Sequence, residues 1–194
     1  MRSFIAISLP EPVKSDIAAI VDRLRPASPP ARWVPAENLH LTVKFLDEIR
    51  EDQVQPITDA IGRASTTVAP FDIHLSGFGV FPNERKARIF WIGIEAGVDI
   101  LRPLARAIDD QLLPLNFARE DRLFSAHITL ARLREPGPAD RLTKAASHVN
   151  YQSGPIPVRE IHLMRSVLSP AGAQYSILST VPLLAPPIEP GKGL

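Results

Sequence analysis

Histidine and threonine stand two residues apart in Leu39-His40-Leu41-Thr42-Val43-Lys44-Phe45-Leu46, and again in Ala126-His127-Ile128-Thr129-Leu130-Ala131-Arg132. The chain has five histidines, and two of them fall in this one setting. Imidazole has an ordinary pKa near 6.5, so around neutral pH one such group can be neutral while its twin is charged. A pair of them can supply both a base and an acid to one reaction. Threonine hydroxyls beside them can donate hydrogen bonds to oxygens that gain charge in the transition state. Lys44 and Arg132 could add positive charge, which suits an anionic group such as phosphate.

Both stretches alternate apolar and polar residues, the period of a half-buried strand. Alternation sends His40, Thr42 and Lys44 to one face, and Leu39, Leu41, Val43 and Phe45 to the other. Arg132 has the wrong parity for the His127 face and needs a bulge or a bend to reach it. Around these strands the pattern predicts a strand over Ser3 to Leu9 and a helix from Pro12 to about Arg25. Val13, Ile17, Ile20, Val21 and Leu24 form that helix's apolar stripe. A second helix runs from Asp52 to about Ala64, and the strands Phe71 to Val80 and Ala87 to Glu95 flank the turn Phe81-Pro82-Asn83-Glu84. Helices follow at Ile100 to about Leu113 and Ala139 to Val149. A hairpin of Val158 to Ser169 and Gln174 to Pro182 comes last.

Matching elements recur at a nearly constant interval, for the histidines 127 − 40 = 87 residues. A constant interval marks an internal duplication. The expectation is an α+β fold, one bilobal domain over residues 1–184 with pseudo-repeats of about 3–86 and 87–184. Two antiparallel sheets would carry helices on their outer faces and enclose a central cleft. Lobes facing each other about a pseudo-two-fold would set both His-x-Thr strands across that cleft. Residues 185–194 (APPIEPGKGL) show no periodicity and read as a loose C-terminal tail.

Composition narrows the class of function. Of 194 residues, 45% are hydrophobic and 22% charged, ordinary for a globular protein. A net charge of +1 provides no broad footprint for duplex nucleic acid, although a few local cations suffice for a ligand with one or a few phosphates. The chain has no cysteine, so disulfides and thiolate metal sites are excluded. No apolar run approaches a membrane span, and Phe4 to Leu9 is too short for a signal-peptide core. The expected location is cytoplasmic, with no membrane partner.

Arg32-Trp33-Val34-Pro35, the run Asn38 to Leu46 and His127-Ile128-Thr129-Leu130-Ala131-Arg132 resemble the two-histidine phosphoesterases. More narrowly they resemble the LigT-like RNA 2′,3′-cyclic phosphodiesterases, once named 2′-5′ RNA ligases. The opening Phe4-Ile5-Ala6-Ile7 and the stretch Ser166 to Leu178 with Tyr175 fit as well, so the likeness runs from about residue 3 to about 184. It differs in Asp47, where the family commonly has glycine, and in Ala126, where it often has proline. The resemblance implies metal-independent hydrolysis of RNA 2′,3′-cyclic phosphate ends to 2′-phosphate ends, without a cofactor and reversible as 2′-5′ ligation. His40 would protonate the leaving 3′-oxygen and His127 would activate water, while Thr42 and Thr129 hold phosphate oxygens. Arg132 and Lys44 would add charge near the phosphate. From their residue type alone, Phe45 and Trp33 could stack on a base, but core packing is the favoured reading for both. The substrate would be an RNA end, such as a tRNA fragment, or a small cyclic nucleotide. Two fused lobes remove one reason to dimerise, so a monomer is expected.

Two other functions compete. Zinc hydrolysis would use His40 and His127 as ligands, but zinc wants a third, and no acidic residue shares either His-x-Thr face. A catalytically idle RNA-end-binding module on the same fold would not need both histidines and both threonines intact. His74 and His162 alternate with apolar residues without a duplicated motif and read as structural, with Arg165 a candidate phosphate contact. His148, late in a helix, reads as a favourable C-terminal charge.

Overall fold

The computed structural model describes residues 1–120, 123–170 and 172–184, so the expected tail at 185–194 lies outside the described residues. The elements in chain order are β1 (Arg2–Ser8), α1 (Glu11–Leu24), β2 (Ala31–Trp33), β3 (His40–Glu48), α2 (Val54–Ser65) and β4 (Phe71–Phe81). Then come β5 (Ala87–Ala96), α3 (Val98–Leu112), β6 (His127–Gly137), α4 (Asp140–Ser147), β7 (Ile156–Val158), β8 (Glu160–Ser169) and β9 (Gly172–Pro182). Helix α1 starts behind Pro10 with Pro12 in its first turn, where a missing N–H costs nothing. Its Ile17, Ile20, Val21 and Leu24 are buried as the stripe predicts. Among the described residues, no helix is long and apolar enough to cross a membrane.

All strand pairs are antiparallel, in the order β7-β4-β5-β6-β3-β1-β8-β9, with β2 added on β6. The two halves of this order meet only where Leu41 of β3 stands opposite Ile128 of β6. One curled sheet thus replaces the two separate sheets expected, and it still forms two lobes about that junction. The sequence repeats do not coincide with the lobes. A short turn after Phe81 folds β4 back onto β5, so a first-repeat strand lies in the β6 lobe. By the same logic β8 of the second repeat pairs with β1 in the β3 lobe. This exchange interlocks the halves, and one contiguous apolar cluster runs through both lobes and all four helices.

Which face each side chain takes depends on two bulges. Along β1 and β3, Ala6 pairs with Thr42 but Ile5 pairs with Lys44, so Val43 is an extra residue. Along β5 and β6, Trp91 pairs with Thr129 but Phe90 pairs with Ala131, so Leu130 is extra. An extra residue reverses the parity of everything beyond it. The burial pattern from His40 to Glu48 is repeated residue for residue from His127 to Glu135. Lys44 and Ala131 therefore turn inward, while Phe45 and Arg132 join the histidine face. A second register shift in β3 falls between Phe45 and Asp47, with Leu46 extra, and the φ of 54° at Asp47 is left-handed. Aspartate tolerates that conformation better than most side chains, which accounts for its standing where glycine is common.

Candidate active site

His40 and His127 begin β3 and β6, on the two strands that meet at the junction between lobes. Each imidazole is held in the same way. His40 Nδ1 lies 2.7 Å from the carbonyl oxygen of Asn38, and His127 Nδ1 lies 2.7 Å from that of Ser125. A carbonyl can only accept, so each Nδ1 carries the proton and each Nε2 is left to exchange one. His40 Nε2 is 2.9 Å from the Thr42 hydroxyl. With neutral imidazole the hydroxyl donates to it. Once Nε2 is protonated it becomes the donor, and the hydroxyl hydrogen is free for a neighbouring anion. Thr42 and Thr129 are partly exposed on the histidine face, as alternation predicts.

Aromatic rings fix the plane of each imidazole. Tyr175 meets His40 edge-on at 5.3 Å and 87°, and Phe81 meets His127 edge-on at 5.0 Å and 82°. Phe4 lies 4.8 Å from His40, and Trp91, 87 residues after Phe4 in the second repeat (91 − 4 = 87), lies 6.2 Å from His127. Glycine makes room for that indole, because a Cβ on Gly79 would collide with the Trp91 ring. The rings also keep water off the imidazoles. Burial lowers the pKa of His40 below its ordinary value, and the charges of Arg132 and Lys14 lower it further against the Asn38 hydrogen bond. Burial likewise lowers His127, with Arg132 adding to the effect and the Ser125 hydrogen bond opposing it.

The expected cations separate. Arg132 reaches both histidines electrostatically, through the bulge its parity required. Lys44 does not share the His40 face. Beyond the bulge it points into the core with 4% of its side chain exposed, 2.5 Å from Asp109 of α3, and it donates to the Ala118 carbonyl at 2.8 Å. It anchors the segment before His127 and has no access to the cleft. Phe45, expected on the apolar face, instead stands 52% exposed on the histidine face beside Phe4. Trp33 packs on Phe90 with Arg25 over its ring, so it is not free to stack on a base.

Of the remaining histidines, His162 is buried, its Nδ1 3.1 Å from the Thr180 hydroxyl. His148 caps the C-terminus of α4, and His74 pairs across from Ala96 in β4. Arg165 is exposed opposite Ser3. The residue pattern does not single out Lys14, Phe4, Phe81, Trp91 and Tyr175 as neighbours of the histidines. The repeat interval links Phe4 to Trp91 and is the one signal available for them. Among the described residues, no group of three His, Cys, Asp or Glu side chains is placed to hold a metal ion.

The family model described as "LigT like Phosphoesterase" matches residues 7–91 and again 92–175. The chain belongs to this family. It is 32% identical over 177 residues to a protein of Methanothermobacter thermautotrophicus named RNA 2′,3′-cyclic phosphodiesterase, covering 91% of this chain and 95% of that one. A protein of the same name from Thermus thermophilus is 35% identical over 184 residues, covering 92% and 88%. The crystal structure of TT0787 of Thermus thermophilus superposes with a TM-score of 0.74 at 30% identity, over 95% of this chain and 99% of that one. E. coli LigT, solved in complex with 3′-AMP, also gives 0.74, at 26% identity over 94% and 97%. The two matches to one family model restate the duplication seen in the residue pattern.

Proposed function

We propose that His40 and His127 hydrolyse RNA 2′,3′-cyclic phosphate ends as a proton-donating and proton-accepting pair. The chain is a phosphodiesterase of the LigT-like family, and its curated relatives are named for this reaction. The observation that carries the mechanism is the matched tethering of the two rings, each Nδ1 on a backbone carbonyl, which leaves each Nε2 as the nitrogen that exchanges a proton. Water attacks phosphorus in line with the P–O3′ bond and gives its proton to His127 Nε2. The P–O3′ bond breaks, and O3′ takes a proton from His40 Nε2, leaving a 3′-hydroxyl and a 2′-phosphate. Both imidazoles are held neutral when the cleft is empty, and an anionic phosphate between them favours protonation of one. Thr42 and Thr129 donate to non-bridging oxygens, and Arg132 offsets their charge. Phe45 offers a half-exposed ring for the terminal base.

With an RNA 5′-hydroxyl in place of water, the same displacement forms a 2′-5′ bond. The chain acts as a cytoplasmic monomer on single-stranded RNA ends such as tRNA fragments, without a metal. Product analysis of an oligonucleotide ending in a 2′,3′-cyclic phosphate tests this. The expected product is the 2′-phosphate at an undiminished rate in EDTA. A 3′-phosphate product, or activity lost in EDTA and restored by zinc or magnesium, would overturn it.

A further inference from the structure

Arg32 of β2 and Arg132 of β6 stand directly opposite each other. Cross-strand partners share a face with their Cβ atoms about 5 Å apart, and like charges there repel. Both residues are exposed, whereas Ala31 and Trp33 on either side of Arg32 pack on the core. Arg32 therefore takes the cleft side that Arg132 reaches through its bulge. Among the described residues neither guanidinium has a carboxylate at ion-pair distance, although Arg25, Arg50 and Arg119 each have one. The comparison with Arg119 is the informative one, because it occupies the place of Arg32 in the second repeat (119 − 87 = 32). There Asp110 neutralises it. The position matching Asp110 in the first repeat is Arg23 (110 − 87 = 23), so the equivalent position offers Arg32 no carboxylate.

We infer that Arg32, beside the Arg132 that serves the cyclic phosphate, holds the internucleotide phosphate on the 5′ side of the terminal nucleotide. This rests on the reading that the cleft takes a 2′,3′-cyclic phosphate. Such a group carries one negative charge and lies between the histidines, next to Arg132. The chain then leaves along β6 from Thr129 past Arg132 toward β2, where a second anion meets the second guanidinium. Two fixed cations match the two charges of a chain end and exceed the one charge of a cyclic mononucleotide. The site therefore selects RNA ends over small cyclic nucleotides, and Arg32 is a specificity residue.

The test compares kcat/KM for a 2′,3′-cyclic mononucleotide and for a short oligonucleotide with the same end, over a range of salt. In the wild type the oligonucleotide should be favoured, with the steeper fall against salt. Arg32→Gln should lower the oligonucleotide's kcat/KM relative to the mononucleotide's by about 10- to 100-fold, the usual value of a charge-assisted contact. Its salt slope should flatten by about 0.7, one single-strand phosphate contact. Arg32→Lys keeps the charge and should keep most of that slope. Equal losses on both substrates, or an unchanged slope in Arg32→Gln, would overturn the inference while leaving the hydrolysis intact. Hydrolysis of neither substrate by the wild type would instead remove the reading beneath it.

Discussion

Replacing Lys44 with methionine would strand Asp109, whose side chain is only 16% exposed, without its partner. An exposed ion pair contributes about 0–1 kcal/mol, but removing one member of a buried pair costs about 3–5 kcal/mol, because a desolvated charge is left uncompensated. Lys44 has 4% of its side chain exposed and lies 2.5 Å from the carboxylate, so the larger figure applies. At roughly 2–4 °C per kcal/mol for a chain of this size, the melting temperature should fall by about 6–20 °C. The double variant Lys44→Met/Asp109→Leu should recover most of the loss, since it leaves no lone charge. Urea and thermal unfolding give the stabilities. Steady-state kinetics below the transition give kcat and KM of the folded enzyme, and neither should change by more than the folded fraction accounts for. A loss of less than about 1 kcal/mol, joined to a raised KM for the cyclic phosphate, would refute the burial argument and return Lys44 to the cleft.

Other outcomes follow from the same geometry. Lowered pKa values for both histidines place the pH window in which one is neutral and one charged below the ordinary imidazole value. The bell of kcat/KM against pH should then be centred below about 6.5, with apparent values that belong to the pair. Arg132→Gln removes a positive charge that disfavours both imidazoliums, so both limbs should move to higher pH as overall activity drops; unmoved limbs would sever Arg132 from the histidines. Asp47→Val puts a β-branched residue at a φ of 54° and should cost about 1–2 kcal/mol in thermal unfolding, with Asp47→Gly harmless.

The alternation around His40 and His127 made the two strands legible, and the 87-residue interval made the duplication legible. Two things escaped that reading. Strict alternation placed Lys44 beside Thr42 and sent Phe45 to the core, because one extra residue in a strand leaves no mark in a short apolar–polar pattern. Setting the two repeats against each other contains a hint, since Lys44 then matches Ala131 and Phe45 matches Arg132. A position filled once by alanine and once by lysine is buried in both copies, with the lysine neutralised by Asp109 on a distant helix. The exchange of β4 and β8 between lobes was hidden for another reason. An interval between repeats says which elements are equivalent and nothing about which copy each pairs with. The carbonyls of Asn38 and Ser125 are backbone groups, so no residue type announces the tethers that set the histidine tautomers.

The two-histidine mechanism is tested most directly by turnover of His40→Ala and His127→Ala on a 2′,3′-cyclic phosphate end and on its analogue with sulfur at the 3′-position. A thiolate leaves with little need of an acid. On the ordinary substrate each variant should lose about 10²- to 10⁴-fold in kcat, and the double variant far less than the product of the two losses. On the sulfur analogue His40→Ala should recover while His127→Ala stays slow. The reverse recovery would exchange the two roles. Wild-type turnover of the ordinary substrate by either variant would contradict the acid–base pair itself.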